Sequence, residues 1–182
     1  MGPDLARRSA RHPIANSGPR CMERIASRRA QWDGVRFDVL NPGPWTNVAQ
    51  TKENNRGCVL KISSRAGSIL LPADIERESE WELTQNHDHD LSATVMLAPH
   101  HGSKTSSSME FLRAVQPQIV MVSSGYRNRF GHPKDEILER YAAMGATVFR
   151  SDRDGAVTFR VGENGVRAEA HRQTHRRYWY GQ

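Results

Sequence analysis

The fold can be predicted outward from one stretch of the 182-residue chain, Ala98-Pro99-His100-His101-Gly102-Ser103-Lys104-Thr105-Ser106-Ser107. The apolar residues before it, 93–97, are typical of a buried strand that ends in a polar loop. Two imidazoles suit a metal ion, glycine lets backbone come close to a ligand, and hydroxyl and ammonium groups donate to phosphate oxygens. The same residues also fit a plain strand-to-helix loop in which Ser107 caps the helix and Glu110 completes a capping box.

The charge of the chain favours anionic partners, nucleic acid among them. The formal net charge is +6 and the isoelectric point is about 9.8. The hydrophobic share of 37% and the mean hydropathy of −0.70 are low for a compact fold of this length. We therefore expect a basic tail or linker over 1–30, a folded domain over 31–172 and a C-terminal tail over 173–182. No apolar run is long enough for a membrane span or the core of a signal peptide.

Alternating apolar and polar residues predict the strands, and longer periodic stretches predict the helices. Strands are expected at 32–40, with a turn at Asp33-Gly34, and then at 58–62, 68–71, 94–98, 118–122, 146–150, 156–161 and 166–171. Helices are expected at 75–84, 107–114 and 133–144. The first helix is predicted to bury one face and expose the other: inward Ile75, Trp81 and Leu83, outward Glu78, Glu80 and Glu82.

Three polar stretches are candidates for chemistry. Asp74 follows the strand at 68–71, where it is either a ligand carboxylate or the N-cap of the next helix. His87-Asp88-His89-Asp90 lacks the Asp and the final His of a His-x-His-x-Asp-His metal motif, because Leu91 and Ser92 stand there, and we interpret it as a solvated surface loop. The loop after the strand at 118–122 holds His132.

From Trp32 to Val161 the sequence resembles the C-terminal metallo-β-lactamase-like domain of ComEC-type competence proteins, membrane channels that take up transforming DNA. The resemblance is carried by Asn54-Asn55 and by the stretches 70–76, 99–106, 128–133 and 152–155. It implies an α/β fold of the metallo-β-lactamase type, an αββα sandwich, represented mainly by its C-terminal half. The family's His-x-His-x-Asp-His motif should precede Trp32 and is absent, which suggests a truncated chain. The family pattern Thr-Gly-Asp is replaced by Pro72-Ala73-Asp74.

The resemblance also implies site residues and partners. Catalytic roles fall to Asp74, His100, His101 and His132, with Asp74 and one or both of His100 and His101 holding a divalent ion, Zn²⁺ or Mn²⁺. Phosphate or DNA would contact Ser103, Lys104, Ser106, Arg127, Asn128 and Arg129. The expected partners are DNA and the membrane-channel portion of the same full-length protein. The domain would lie outside the membrane span of an inner-membrane protein, on a periplasmic or otherwise extracytoplasmic face that the sequence does not determine.

A count of ligands sets the expected activity. The family reaction is metal-assisted phosphodiester hydrolysis. Asp74 with one or both of His100 and His101 is too small a set of ligands to hold an ion tightly. We therefore expect little metal and no nuclease activity in this chain alone. The alternatives are a non-catalytic DNA-binding module and a hydrolase of another ester. If one pocket exists, His132 should lie within about 15 Å of His100.

Overall fold

The computed structural model describes residues 29–43, 46, 50–85 and 90–175. Within them the strands, in chain order, are β1 Arg29–Trp32, β2 Val35–Asn41, β3 Val59–Ser64, β4 Gly67–Leu71, β5 Val95–Leu97, β6 Ile119–Val122, β7 Thr147–Arg150, β8 Val157–Gly162 and β9 Gly165–Ala170. The helices are α1 Arg77–Gln85, α2 Met109–Val115, α3 Asp135–Ala143, and the single turns α4 Ser151–Asp154 and α5 His171–Thr174. Short 3-10 turns occupy Asn54–Arg56 and Pro99–Gly102.

Strands β1 to β7 form one sheet in sequence order, and its first half is antiparallel. The β1–β2 hairpin closes with Trp32 opposite Val35, and its two turn residues, Asp33 and Gly34, have φ of 49° and 76°. Two positive φ values are what a two-residue hairpin turn requires, which is why Asp-Gly predicts this turn. Strands β8 and β9 form a separate antiparallel pair.

The second half of the sheet is parallel. Strand β5 pairs with β4, β6 with β5 and β7 with β6, and each pair runs in the same direction. Helices α1, α2 and α3 are the three crossovers between these strands. Such crossovers are right-handed, and the strands follow one another in sequence order, so the three helices cover the same face of the sheet. The carboxyl ends of the parallel strands meet at one edge, which is where an open α/β sheet places its ligand.

The orientation of α1 differs from the prediction. Glu80 is fully buried and Trp81 is 58% exposed, whereas the sequence pattern placed Trp81 inward and Glu80 outward. The reason is helical geometry: Trp81 and Leu83 are two residues apart and therefore lie on opposite sides of the helix. Leu83 is buried, so Trp81 faces solvent and the carboxylate of Glu80 is carried into the interior.

Two helix caps that the sequence pattern allowed do not form. Helix α1 begins at Arg77, three residues after Asp74, so Asp74 is not its N-cap. The N-cap of α2 is Ser108, whose side chain accepts a hydrogen bond from the backbone N–H of Phe111. This displaces Ser107 from the cap and Glu110 from the third helical position, so no capping box forms there. Ser107 instead has a φ of 56°.

The structure confirms a mixed α/β fold and nearly all the predicted elements. The described secondary structure runs from Arg29 to Thr174, and the domain limits at 31 and 172 stay a prediction. Most of the predicted tails, together with His87, Asp88 and His89, lie outside the described residues. The longest helices described, α1 and α3, have nine residues each, and in the described part of the chain no helix is long and apolar enough to cross a bilayer.

Candidate active site

Four predicted site residues meet at the carboxyl edge of the parallel strands. Asp74 follows β4, the His100-His101 pair follows β5, and His132 follows β6. Asp74 Oδ1 lies 3.6 Å from His101 Nε2, and the ring centroids of His100 and His132 are 6.1 Å apart. The second distance is well inside the 15 Å limit, so the loops after β5 and β6 meet, while a shared ligand pocket stays a prediction.

The backbone of the histidine pair is unusual. His100 and His101 have φ of 47° and 57°, and Gly102 follows with 79°. Non-glycine residues in this region carry strain, which persists only where neighbouring contacts hold it. His100 N–H donates to the carbonyl of Ala73 at 3.1 Å, and Ala73 itself has a φ of 54°. Ala73 thus stands, in a conformation that favours glycine, where the family pattern has glycine.

The ring of His101 is oriented by a backbone carbonyl. Its Nδ1 lies 2.8 Å from the oxygen of Ser123. A carbonyl oxygen only accepts, so Nδ1–H is the donor. In the neutral ring Nε2 then carries a free lone pair, and this atom faces Asp74 Oδ1. A ring held by one nitrogen with the other left open is the usual arrangement of a metal-binding histidine.

The ring of His100 is oriented in a similar way by Thr105, which is itself bound to Glu76. Thr105 Oγ1 donates to Glu76 Oε1 at 3.3 Å and lies 3.3 Å from His100 Nδ1. Because the single hydroxyl proton goes to Glu76, Nδ1–H of His100 is the donor to Thr105 and Nε2 is left open. Glu76 was missed as a site residue by the sequence analysis, although it ends one of the stretches that carry the resemblance. Asn55 orders this region by accepting from the backbone N–H of Glu76 at 2.6 Å.

A buried clamp holds the chain after the histidines. The carboxylate of Glu80 accepts from the backbone N–H groups of Ser107 and Ser108, the latter at 2.8 Å. Tyr141 OH, also buried, is 2.7 Å from Ser107 Oγ, and Arg140 donates to the carbonyl of Ser107 at 3.0 Å. Burial raises the pKa of Glu80 despite the N–H groups that lower it, and burial raises the pKa of Tyr141 as well.

The predicted phosphate-binding residues of this loop lie in different environments. Lys104 is exposed. Ser103 is 6% exposed, with Oγ 3.1 Å from Thr105 Oγ1. Ser106 is fully buried, and its hydroxyl lies 2.9 Å from the carbonyl oxygens of both Pro99 and Ser103. Ser106 is therefore placed to hold the loop and not to contact a phosphate.

The loop that carries His132 is fastened to the histidine loop. Lys134 N–H donates to the carbonyl of Gly102 at 3.0 Å. A Cβ added to Gly102 would lie 2.7 Å from the Cβ of Pro133, so only glycine permits this approach. Within the loop, the amide of Asn128 donates to the carbonyl of His132 at 2.7 Å and accepts from its N–H at 2.9 Å. The side chain of Asn128 is thus engaged in shaping its own loop.

His132 faces the pocket as a neutral ring. Burial lowers the pKa of His132, and the positive charge of Lys134 lowers it further. Its buried Nδ1 has no hydrogen-bond partner among the described residues. An unsatisfied buried nitrogen costs free energy, so its presence beside the other two imidazoles suggests a ligand that supplies the missing partner.

The donor set fits a metal ion only in part. Two ligands of a tetrahedral zinc ion, each about 2.1 Å from the metal, lie roughly 3.4 Å apart, close to the 3.6 Å between Asp74 Oδ1 and His101 Nε2. Yet across residues 29–43, 46, 50–85 and 90–175 there is no group of three or more His, Cys, Asp or Glu side chains that could hold an ion together. Asp74 Oδ1 and His101 Nε2 are therefore two atoms whose spacing matches that of ligands sharing one ion.

The two arginines of the second loop, Arg127 and Arg129, are exposed. The guanidinium carbon of Arg127 lies 5.1 Å from the ring centroid of Tyr126, and that of Arg129 lies 4.8 Å from the centroid of Phe130. The aromatic rings were not identified from the sequence. The signal was present in the alternation Tyr126-Arg127-Asn128-Arg129-Phe130, which places a ring beside each guanidinium.

Comparison with known proteins identifies relatives over most of the chain. It is 36% identical over 154 residues to "Competence protein ComA" of Neisseria gonorrhoeae, covering 85% of this chain and 22% of that protein. It is 32% identical over 126 residues to "ComE operon protein 3" of Bacillus subtilis (69% and 16%) and 32% identical over 115 residues to "Recombination protein 2" of Haemophilus influenzae (63% and 14%). The chain thus spans less than a quarter of these relatives. No family model matches.

Proposed function

Because the chain is homologous to a segment of the ComEC-type competence proteins, we propose that it is the DNA-handling domain of such a protein. In this proposal it adopts the metallo-β-lactamase-type fold of the family, acts beside a membrane channel, and binds the phosphodiester backbone of DNA at the edge of its parallel strands. The observation that carries the proposal is the convergence of Asp74, His101, His100 and His132 at that edge.

Asp74 and His101 would hold a divalent ion, Zn²⁺ or Mn²⁺, with the ring of His101 fixed by Ser123. When bound, such an ion polarises a phosphoryl oxygen and lowers the pKa of a bound water. The chain's own groups do the remaining work: His132 and the exposed Lys104 donate to phosphate oxygens, and Thr105 holds the ring of His100. Burial and the charge of Lys134 lower the pKa of His132, which favours the uncharged ring with one nitrogen free to accept a hydrogen bond.

Two ligands are too few for nuclease activity. A catalytic zinc site has three protein ligands and a water, and an ion held by two ligands stays mostly hydrated. We therefore expect this chain alone to bind DNA and to bind metal weakly without cleaving. This coincides with the second candidate, a non-catalytic DNA-binding module, which the net charge of +6 favours.

The test measures the metal site without DNA. Zn²⁺ is titrated into the chain by calorimetry, and every variant carries His175→Ala, because the stacked rings of His171 and His175, 4.4 Å apart, are a second imidazole pair that would take the ion. Weak binding at one site is expected, and it should disappear in Asp74→Ala and in His101→Ala. Glu139→Ala, an exposed glutamate on α3, is the matched control. Unchanged binding in both site variants would exclude the pair as ligands.

Cleavage is measured separately with labelled DNA and added Mn²⁺ or Zn²⁺. No product is expected from the chain alone. Robust cleavage that is lost in Asp74→Ala and in His101→Ala would show that the site is complete, and the count of two ligands would then be wrong.

A further inference from the structure

The loop between β6 and α3 leaves two large aromatic side chains mostly exposed. Tyr126 is 69% exposed and Phe130 is 59% exposed. Large rings left in water forgo the stabilisation that burial would give them, so a pair of them in one short loop is a sign of a binding surface. Phe130 lies beside the active site, since its ring is stacked on that of His132 with centroids 5.9 Å apart and planes 14° from parallel.

Each exposed ring is paired with an arginine. Arg127 lies over Tyr126 and Arg129 over Phe130, at 5.1 Å and 4.8 Å. Neither arginine has a carboxylate partner among the ion pairs of the described residues. The loop therefore presents flat apolar surfaces and uncompensated positive charge together. That combination matches a ligand with planar rings on an anionic backbone, which is the chemistry of an unpaired nucleic acid strand.

The loop is held in shape before any ligand binds. Asn128 donates to the carbonyl of Gly125 at 3.2 Å and bonds the backbone of His132 in both directions. Lys134 Nζ donates to the carbonyl of Phe130 at 2.8 Å. A loop fixed in this way loses little conformational entropy on binding. Asn128 thus serves the surface by holding it, while the rings and guanidinium groups are left to face a ligand.

We propose that Tyr126 and Phe130 form a base-stacking surface that gives this domain a preference for single-stranded DNA, with Arg127 and Arg129 binding the adjoining phosphates. Bases in a duplex are already stacked on their neighbours and cannot cover the two rings, whereas unpaired bases can. Because Phe130 adjoins His132, a strand stacked here lies next to the imidazole pocket. This inference rests on the proposed function in taking DNA as the ligand.

The experiment compares three probes by fluorescence anisotropy in 50 and 200 mM NaCl: a labelled oligothymidine, a hairpin duplex of the same charge, and an abasic oligomer of the same length. The variants are Tyr126→Ala/Phe130→Ala, Phe130→Leu and Arg127→Ala/Arg129→Ala. Trp32→Ala is the matched control. The Trp32 side chain is 79% exposed and lies on β1, the edge strand at the antiparallel end of the sheet.

The aromatic double variant should lose about tenfold or more in affinity for oligothymidine and little for the duplex or the abasic strand. Phe130→Leu should lose part of this affinity, because it keeps apolar bulk without the flat ring. The arginine variant should weaken binding to all three probes. For each phosphate that the chain no longer neutralises, the salt slope should fall by roughly 0.7 for the single strands and roughly 0.9 for the duplex. Trp32→Ala should behave as the parent chain.

Equal loss for single-stranded and duplex DNA in the aromatic variant would overturn the stacking proposal, and so would no loss at all. Either outcome leaves the proposed function intact, since DNA still binds. Failure of every probe to bind the parent chain would instead remove DNA as the ligand and with it the proposed function. Zinc binding at Asp74 and His101, measured without DNA, is independent of all these outcomes.

Discussion

The two loops that meet at the site are built in opposite ways. The histidine loop, 98–108, buries the serines at its end: Ser106 and Ser107 are fully buried, and the buried side chains of Glu80 and Tyr141 hold the loop from two different helices. The arginine loop, 123–132, is held by its own Asn128 and turns its large side chains outward. The first loop fixes the position of the imidazoles, and the second is shaped to contact something outside the protein.

This difference separates residues that support the site from residues that touch a ligand. Substitutions behind the histidine loop should lower the free energy of unfolding, because they leave buried polar groups without partners. Substitutions on the arginine loop should leave that free energy nearly unchanged and alter binding alone. The predictions that follow test this separation.

The largest effect is expected from Glu80→Ala. It leaves the N–H groups of Ser107 and Ser108 buried without their acceptor, at about 1–3 kcal/mol for each unsatisfied donor. We expect the free energy of unfolding to fall by about 3 kcal/mol, measured by urea denaturation. Glu139→Ala on the exposed side of α3 is the control and should change it by less than about 0.5 kcal/mol. Equal effects of the two substitutions would show that Glu80 does not stabilise the backbone at Ser107 and Ser108.

Glu80 also predicts a pH dependence. Burial raises its pKa in the folded state, so between the ordinary carboxyl pKa and the raised value the folded chain binds more protons than the unfolded chain. Stability therefore falls as the pH rises through that window. Glu80→Gln cannot titrate and should lack this component of the slope. Identical slopes for the parent chain and Glu80→Gln, from denaturation between about pH 4 and 8, would show that the carboxyl pKa is not raised.

An intermediate effect is expected where the two loops touch. Gly102→Ala places a Cβ 2.7 Å from that of Pro133 and forces alanine to a φ of 79°, whereas Gly145→Ala has a φ of 73° and nothing within 4 Å. Both substitutions carry the backbone strain, about 1–2 kcal/mol, and only the first carries the clash. We expect Gly102→Ala to cost about 1 kcal/mol more than Gly145→Ala in urea denaturation. Equal costs would mean that the loops separate without penalty.

The antiparallel strands and the strand–helix alternation were predictable because they depend on local chemistry. Asp33-Gly34 suits a hairpin turn, and Gly145, with its φ of 73°, suits the end of α3. The convergence of Asp74, His100 and His132 was predictable for a topological reason, since polar loops after neighbouring parallel strands share one edge. The family resemblance then pointed to the same positions.

What the sequence did not reveal depends on contacts between distant elements. Helical spacing places Glu80 on the same side of α1 as Leu83, but the burial of that side follows from where α2 packs on α1. Ser106 resembled a phosphate ligand by composition, but the carbonyls of Pro99 and Ser103 take its hydroxyl. Glu76 contacts His100 through Thr105 and also directly, with Oε1 3.6 Å from His100 Nδ1, an arrangement that no spacing in the sequence encodes.

The smallest change in the free energy of unfolding is expected from two tyrosines. Tyr141 contacts the histidine loop, and Tyr126 belongs to the arginine loop. Tyr141→Phe removes the hydroxyl that lies 2.7 Å from the buried Ser107 Oγ, and Tyr126→Phe removes a hydroxyl from a ring that is 69% exposed. A buried hydrogen bond contributes about 1 kcal/mol net, and the Ser107 hydroxyl would be left without this partner. We therefore expect Tyr141→Phe to lower the free energy of unfolding by about 1–2 kcal/mol and Tyr126→Phe to leave it unchanged. Binding of oligothymidine should be retained by Tyr126→Phe, since the ring survives. If Tyr126→Phe destabilises the fold as much as Tyr141→Phe does, the arginine loop is part of the structural core and the division between support and contact is wrong.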